Sequence, residues 1–230
     1  VCSSDLMNID DRMTLCNHAA ELGAKAALLE ADEKTIAWLN EHGAQTPKPV
    51  FSDPDAVYVQ SLEIDASLLA PQVARKHQVD DIVAAHEVNK QAIQFALIGT
   101  CTNGRLDDIR QAAAILKGKK LASGVRMIVT PASRQIYLSA LREGLIEILT
   151  MAGASFESAG CGTCVGITNH LVPGDGDTII STANRNFKGR LSNPDSEIWL
   201  GSAATVAASA LTGYITDPRT VSGGEWRSNS

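Results

Sequence analysis

Residues 93–116 read Ile93-Gln94-Phe95-Ala96-Leu97-Ile98-Gly99-Thr100-Cys101-Thr102-Asn103-Gly104-Arg105-Leu106-Asp107-Asp108-Ile109-Arg110-Gln111-Ala112-Ala113-Ala114-Ile115-Leu116. Ile93 to Ile98 is a short apolar run, the pattern of a strand buried on both faces. Leu106 to Leu116 reads as an amphipathic helix, so the segment is a strand, a loop and a helix in succession. Downstream the alternation repeats. Val125 to Val129 predicts a strand, Ser133 to Ala152 a helix or paired helices with Ser133 as N-cap, Ser155 to Ser158 and Thr178 to Ser181 strands, and Ala203 to Leu211 a small-residue helix. Strands alternating with helices predict an α/β fold with a parallel sheet covered on both faces, and ligands in such sheets bind outside the carboxyl ends of the strands.

Upstream, Met7 to roughly Gly43 carries helical signals. Asp10 and Asp11 suit a first turn, Leu15, Ala19, Leu22 and Ala26 recur at helical spacing, and Gly23 interrupts, which predicts two helices with a short break. From Thr46 to Asn89 the chain turns to Pro47, Pro49, Pro54 and Pro71 among β-prone pieces such as Ala56-Val57-Tyr58-Val59, the mark of a connector or small β element and of a domain boundary. The opening Val1-Cys2-Ser3-Ser4-Asp5-Leu6 has no initiator Met and is read as a non-native leader. Residues 220–230 are read as a polar tail, and the chain is expected to be part of a longer gene product.

With 230 residues and 44% hydrophobic content the chain can bury one substantial core or two modest ones, so disorder is not the expectation. The formal charge of −6 is spread without a basic block, and neither nucleic acid nor membrane is an expected partner. No apolar run reaches the ~20 residues of a bilayer span and no signal peptide is evident, so a cytoplasmic location is expected. There the five cysteines, Cys2, Cys16, Cys101, Cys161 and Cys164, are more readily metal ligands or free thiols than a disulfide framework.

Three loops after predicted strands carry the chemistry: Gly99 to Gly104 around Cys101, Ala159-Gly160-Cys161-Gly162-Thr163-Cys164, and Ala183-Asn184-Arg185-Asn186-Phe187-Lys188-Gly189-Arg190. All three should open onto one edge of the sheet. Small residues around cysteines let backbone approach a bulky inorganic cluster and hydrogen-bond to its sulfides. On spacing alone Cys161-x-x-Cys164 fits a cluster, a zinc half-site or a redox pair equally, and Cys101 shifts the balance toward a metal. Three thiolates are one fewer than an electron-transfer cluster uses, so one iron would stay open to polarise substrate or water. Gly160, Gly162 and Gly166 nearly match a dinucleotide fingerprint, but the last spacing is one residue too long.

Arg185 and Arg190 are candidates for binding two carboxylates, because guanidinium pairs bidentately with carboxylate oxygens, and Asn184 and Asn186 could add polar contacts. Two solvated surface arginines are the commoner fate of such a pair, and only the cysteine loops raise the functional reading. His18, His42, His77, His86 and His170 show no metal-site spacing, although His170 lies six residues past Cys164. Cys16 reads as a small buried helix residue.

Across Ile98-Gly99-Thr100-Cys101-Thr102-Asn103-Gly104-Arg105, Gly160-Cys161-Gly162-Thr163-Cys164, Asn184-Arg185-Asn186-Phe187-Lys188-Gly189-Arg190 and Arg12-Met13-Thr14-Leu15-Cys16-Asn17, the sequence resembles the aconitase superfamily. Within it the match is to the large subunits of 3-isopropylmalate dehydratase and their homoaconitase-like relatives, from about Met7 through Arg219. The resemblance implies a three-layer αβα domain with a parallel sheet at 92–219, preceded by the carboxyl-terminal part of another aconitase-like α/β domain at 7–60 and a connector at 61–91. It implies a 4Fe-4S cluster on Cys101, Cys161 and Cys164, with substrate carboxylates at Arg185 and Arg190. Its reaction is a hydro-lyase isomerisation, 2-isopropylmalate to 3-isopropylmalate in leucine biosynthesis, by removing and re-adding water.

In the family the base is a serine on a swivelling domain or small subunit, and acid groups lie on an amino-terminal domain. Neither region is in this sequence, so a small-subunit partner is expected, and little or no turnover by the chain alone. Thr163 stands where many relatives have proline, and Arg75-Lys76-His77 is more basic than usual. The alternatives are a homoaconitase or dimethylmalate-type hydratase, a non-enzymatic iron- or redox-responsive cluster protein, and a zinc-stabilised module that lacks a well-spaced fourth ligand.

Overall fold

The computed structural model describes residues 7–44, 48–166 and 171–221. The chain forms two compact units, one ending at Leu69 and the other beginning at Ala70.

In the first unit, α1 (Ile9–His18) is capped by Asn8, whose side chain accepts from the Asp11 N–H, and α2 (Glu33–Glu41) by Asp32, which accepts from the Thr35 N–H. Short polar caps of this kind satisfy orphan amides of the first turn. The helical spacing of Leu22 and Ala26 does not extend α1, since turns after His18 end it and residues 24–32 carry no helix. Val57, Tyr58 and Val59 are exposed and no strand forms among the described residues between 48 and 69. The packing anchor is Arg12, only 4% exposed, whose guanidinium forks onto Asp32 at 2.7 and 2.6 Å while also donating to Thr35 Oγ1 and the Met7 carbonyl.

The Arg12 hydrogen bonds, helped by the Thr35 amide, hold the Asp32 carboxyl well below the usual carboxylate range. A depressed carboxyl stabilises fully above its unfolded value of about 4 and loses that contribution as pH falls through the folded value. Acidification from about pH 5 toward pH 2 should therefore loosen the α1–α2 pair. With the Asp32 side chain 34% exposed, solvent screening limits the pair to about 1 kcal/mol. Arg12→Ala should remove that amount at neutral pH and abolish the acid dependence, read as amide exchange of residues 9–18 against pH.

The second unit runs β1 (Gln72–Ala74), β2 (Ile82–Ala84), β3 (Phe95–Ile98), α3 (Leu106–Leu116), β4 (Arg126–Val129), α4 (Arg134–Arg142), α5 (Leu145–Ala152), β5 (Ser155–Phe156), β6 (Thr178–Ser181), β7 (Glu197–Gly201) and α6 (Ala203–Thr212). Among the described residues seven strands form one sheet in the order β2-β1-β7-β6-β3-β4-β5. The five from β7 to β5 are parallel, and β1 adds antiparallel to β7 and β2 to β1, so stretch 72–84 supplies the sheet's antiparallel edge.

Pleating divides the core. Ala96, Ile98, Met127, Val129, Ile180 and Trp199 face Ile109, Leu116, Leu149 and Val206 from α3, α5 and α6, whereas Phe95, Leu97, Ile128, Ile179, Ile198 and Leu200 face Leu171, Ala183 and Leu191 from loops. Helices thus cover one face and loop side chains the other among the described residues. Handedness accounts for this. The chain steps from β3 to β4 to β5 in one direction and from β6 to β7 in the opposite one, so right-handed crossovers put α3, α4 and α5 on one side and residues 182–196 on the other. That second crossover carries Pro194, Gly189 and three Asn residues, and it forms no helix. No described helix is long and apolar enough to cross a membrane.

Candidate metal centre

The direction of travel reverses between β3 and β6, and it is outside the carboxyl ends of the strands at such a reversal that doubly wound sheets bind ligands. The β3 loop carries Cys101, the β6 loop Asn184, Arg185 and Arg190, and the β5 loop Cys161 and Cys164. Parallel pairing sends all three loops to the same edge.

Buried hydrogen bonds stitch the β3 and β6 loops together. Thr182 Oγ1 accepts from the Gly99 amide at 2.9 Å and donates to the Asn103 carbonyl at 3.1 Å, while Asn103 Nδ2 donates to the Thr182 carbonyl and to Asn184 Oδ1 at 2.8 Å. Thr100, also buried, accepts from the Thr102 amide. Cys101 is left exposed at the tip of this frame.

The β5 loop closes as a single 3-10 turn, Gly162–Val165, and among the described residues no helix N-terminus follows the glycines as a dinucleotide site would require. The Gly160 amide donates to the Pro131 carbonyl, and Gly162 packs so closely that an added Cβ would lie 2.3 Å from Thr130 Oγ1. Cys161 is exposed and Cys164 half-buried. The Cys161 thiol is pushed up by the charge of Cys101, by a hydrogen bond with it, by burial and by Cys164, with Arg190 pulling the other way. Charge on its two neighbours thus opposes ionisation of Cys161, and a bound cationic group would favour its thiolate.

Among the described residues no three His, Cys, Asp or Glu side chains close on a single metal ion. A tetrahedral zinc, with Zn–S of about 2.3 Å, would need its sulfurs within roughly 4 Å of one another. Thiolates on different irons of a larger cluster stand further apart. Three thiols, two exposed and one half-buried, on a cradle of small residues fit such a group.

Arg190 is half-buried, with Nη2 donating to Cys164 Sγ at 3.0 Å and the guanidinium 5.5 Å from the centre of the Phe187 ring. Arg185 is half-buried on the same loop. Asn184 is occupied by Asn103. Asn186, read in the sequence as a polar contact at the site, is 1% exposed and turned away, donating to the carbonyls of Arg75 at 2.6 Å and Gln78 at 3.0 Å. It clamps the arginine loop to the β1–β2 turn. Cys16, expected buried, is half-buried on α1. His42 bonds the Trp38 carbonyl through Nδ1 and His86 lies 3.8 Å from Asp217, both apart from the thiols in sequence and partners, and His170 lies outside the described residues.

Sequence reading missed Thr130, which lies under Gly162 and donates to Glu157 Oε2 at 3.2 Å, and Thr182, which locks the two loops. Both directly follow parallel strands, and that position was the available signal.

The second unit is a mostly parallel α/β domain with three cysteines and an arginine loop at one sheet edge, and the chain belongs to the aconitase family: the model of the aconitase family (aconitate hydratase) matches residues 3–95 and 76–213. It is similar to 3-isopropylmalate dehydratase large subunit 2 of Archaeoglobus fulgidus, 49% identical over 214 residues that cover 93% of this chain and 51% of that protein. It is similar to 3-isopropylmalate dehydratase large subunit 1 of Thermotoga maritima, 49% identical over 217 residues covering 93% and 51%. A probable methanogen homoaconitase large subunit of Methanosarcina mazei is 48% identical over 215 residues, covering 94% and 54%. The chain spans about half the length of these curated relatives. Family membership implies an iron–sulfur cluster.

Proposed function

We propose that this chain is the cluster-bearing part of a cytoplasmic hydro-lyase large subunit that isomerises 2-isopropylmalate to 3-isopropylmalate in leucine biosynthesis. The observation that carries the reading is the convergence of Cys101, Cys161 and Cys164 with the Arg185–Arg190 loop on one sheet edge. Cys101, Cys161 and Cys164 hold a 4Fe-4S cluster, which when bound supplies an iron with an open position for Lewis-acid polarisation of the substrate hydroxyl.

The chain's own residues orient the substrate. Arg185 and Arg190 bind its carboxylates as fixed positive forks. Asn184 sits within the same polar frame, its Oδ1 holding Asn103. The base that takes the proton belongs to a small subunit carrying the swivelling domain, which closes over this edge. The unit that begins at Ala70 and includes the β1–β2 edge acts as the cluster domain, and residues 7–60 as the end of a preceding aconitase-like domain, joined through 61–69. A second reading, homoaconitase, is favoured by the near-equal identity to the Methanosarcina protein.

Anaerobic reconstitution with iron and sulfide tests the assignment. About four irons and four acid-labile sulfides per chain, with broad visible absorption, is the expected result. Tight zinc without sulfide would overturn it in favour of a structural site.

A further inference from the structure

We propose that Arg190 is a positioning residue for the cluster as well as a carboxylate ligand: its hydrogen bond to Cys164 Sγ sets the reduction potential of the group that Cys164 holds. This rests on the reading above that the three cysteines carry a cluster.

The guanidinium is fixed from several sides. Nη2 donates to Cys164 Sγ at 3.0 Å, the Phe187 ring lies beneath it at 5.5 Å, and the Arg190 amide donates to the Phe187 carbonyl at 3.0 Å. Backbone contact locks the arrangement. Gly166 has φ +69° and approaches so closely that a Cβ there would lie 2.8 Å from the Ser192 nitrogen and 3.0 Å from the Arg190 carbonyl oxygen. The turn bearing Cys164 and the turn bearing Arg190 are therefore held in close backbone contact.

Arg190 forms no ion pair with a carboxylate among the described residues, and its Nε is buried without a partner. A half-buried charge with unused donors is costly unless something anionic completes it. Thiolate sulfur does so on one side, and the remaining donors are free for a substrate carboxylate. Because arginine does not lose its proton in a protein, this field persists at any working pH. Hydrogen bonds and positive charge at a ligating sulfur favour the reduced cluster, which is the more negative form. The same side chain therefore links occupancy of the substrate site to the electronics of the cluster.

The test is a mediated, EPR-monitored dithionite titration of the reconstituted chain, in which one electron enters the cluster and no bond is made or broken. Arg190→Gln should lower the midpoint potential by at least 59 mV, a tenfold change in the one-electron equilibrium. Arg190→Lys, which keeps the charge but loses the planar fork, should fall between the two. Lys188→Gln, the same charge change on the same loop, should shift it by less than a third of the Arg190→Gln effect. Where Arg190→Gln assembles no cluster, the Lys variant decides: a potential equal to wild type overturns the inference. So do equal potentials in wild type and Arg190→Gln, or an equal shift in Lys188→Gln. A wild-type chain that takes up no cluster defeats the functional reading instead.

Discussion

Cys101→Ser should leave the protein folded and strip it of its cluster. Cys101 is exposed, and its polar neighbours are Thr102 Oγ1 at 3.9 Å and the Cys161 thiol. The substitution is nearly isosteric at a surface position, so thermal stability without cofactor should stay within about 0.5 kcal/mol of wild type. Iron and sulfide retention should fall by more than about 100-fold, the upper end of what is lost when only a supporting partner of a metal ligand is removed. Cys16→Ser, on α1 in the other unit, should retain the full complement. Parallel measurements of iron, sulfide and melting temperature on both variants provide the check.

Gly99→Ala should be the most damaging single-methyl change in the second unit. Gly99 has φ +98°, and a Cβ there would lie 1.9 Å from the Thr130 carbonyl oxygen and 2.8 Å from its carbon. Both atoms belong to backbone that cannot swing aside, because the Thr130 amide donates to the Ile98 carbonyl at 2.7 Å and the Ala132 amide to the Gly104 carbonyl at 2.8 Å. Left-handed strain alone costs about 1–2 kcal/mol. Displacing β4's exit from β3's adds to this, giving about 4 kcal/mol in all, the range reached only by overpacking or loss of a buried network. For a unit of this size the melting temperature should drop by roughly 8–16 °C. Gly118→Ala, where an added Cβ meets nothing, isolates the conformational part and should cost about 1 kcal/mol. Calorimetry of the two variants distinguishes steric from conformational cost.

The parts of the fold visible in the sequence were those where one signal stands alone. Leu106 to Leu116 and Thr178 to Ser181 form the helix and strand that their apolar spacing predicts, and Ser133 caps α4 by accepting from the Ile136 amide. The Glu197-Ile198-Trp199-Leu200-Gly201 strand was not read, because it follows Asn- and Pro-containing turns and leads almost directly into α6. Its identity depends on pairing with Thr178 to Ser181, which no local pattern reports. The helical spacing of Leu22 and Ala26 misled because both side chains are exposed, so no burial rewards a helix there.

For the site, the cysteine and arginine loops were legible because each follows a parallel strand. The contacts between them were not. Arg190 meets Cys164 across 26 positions and Asn186 meets Arg75 across 111. Such meetings follow from where the β6–β7 crossover passes, and handedness fixes that only once the strand order is known.

The most direct test of the central claim, a three-thiolate cluster with one iron left open, is Mössbauer spectroscopy of the chain reconstituted with iron-57, with and without 2-isopropylmalate. One iron in four should be distinct from the rest and should change its spectrum on adding the hydroxy-acid, since three cysteines cannot ligate four irons. Four equivalent irons indifferent to the hydroxy-acid would contradict the account.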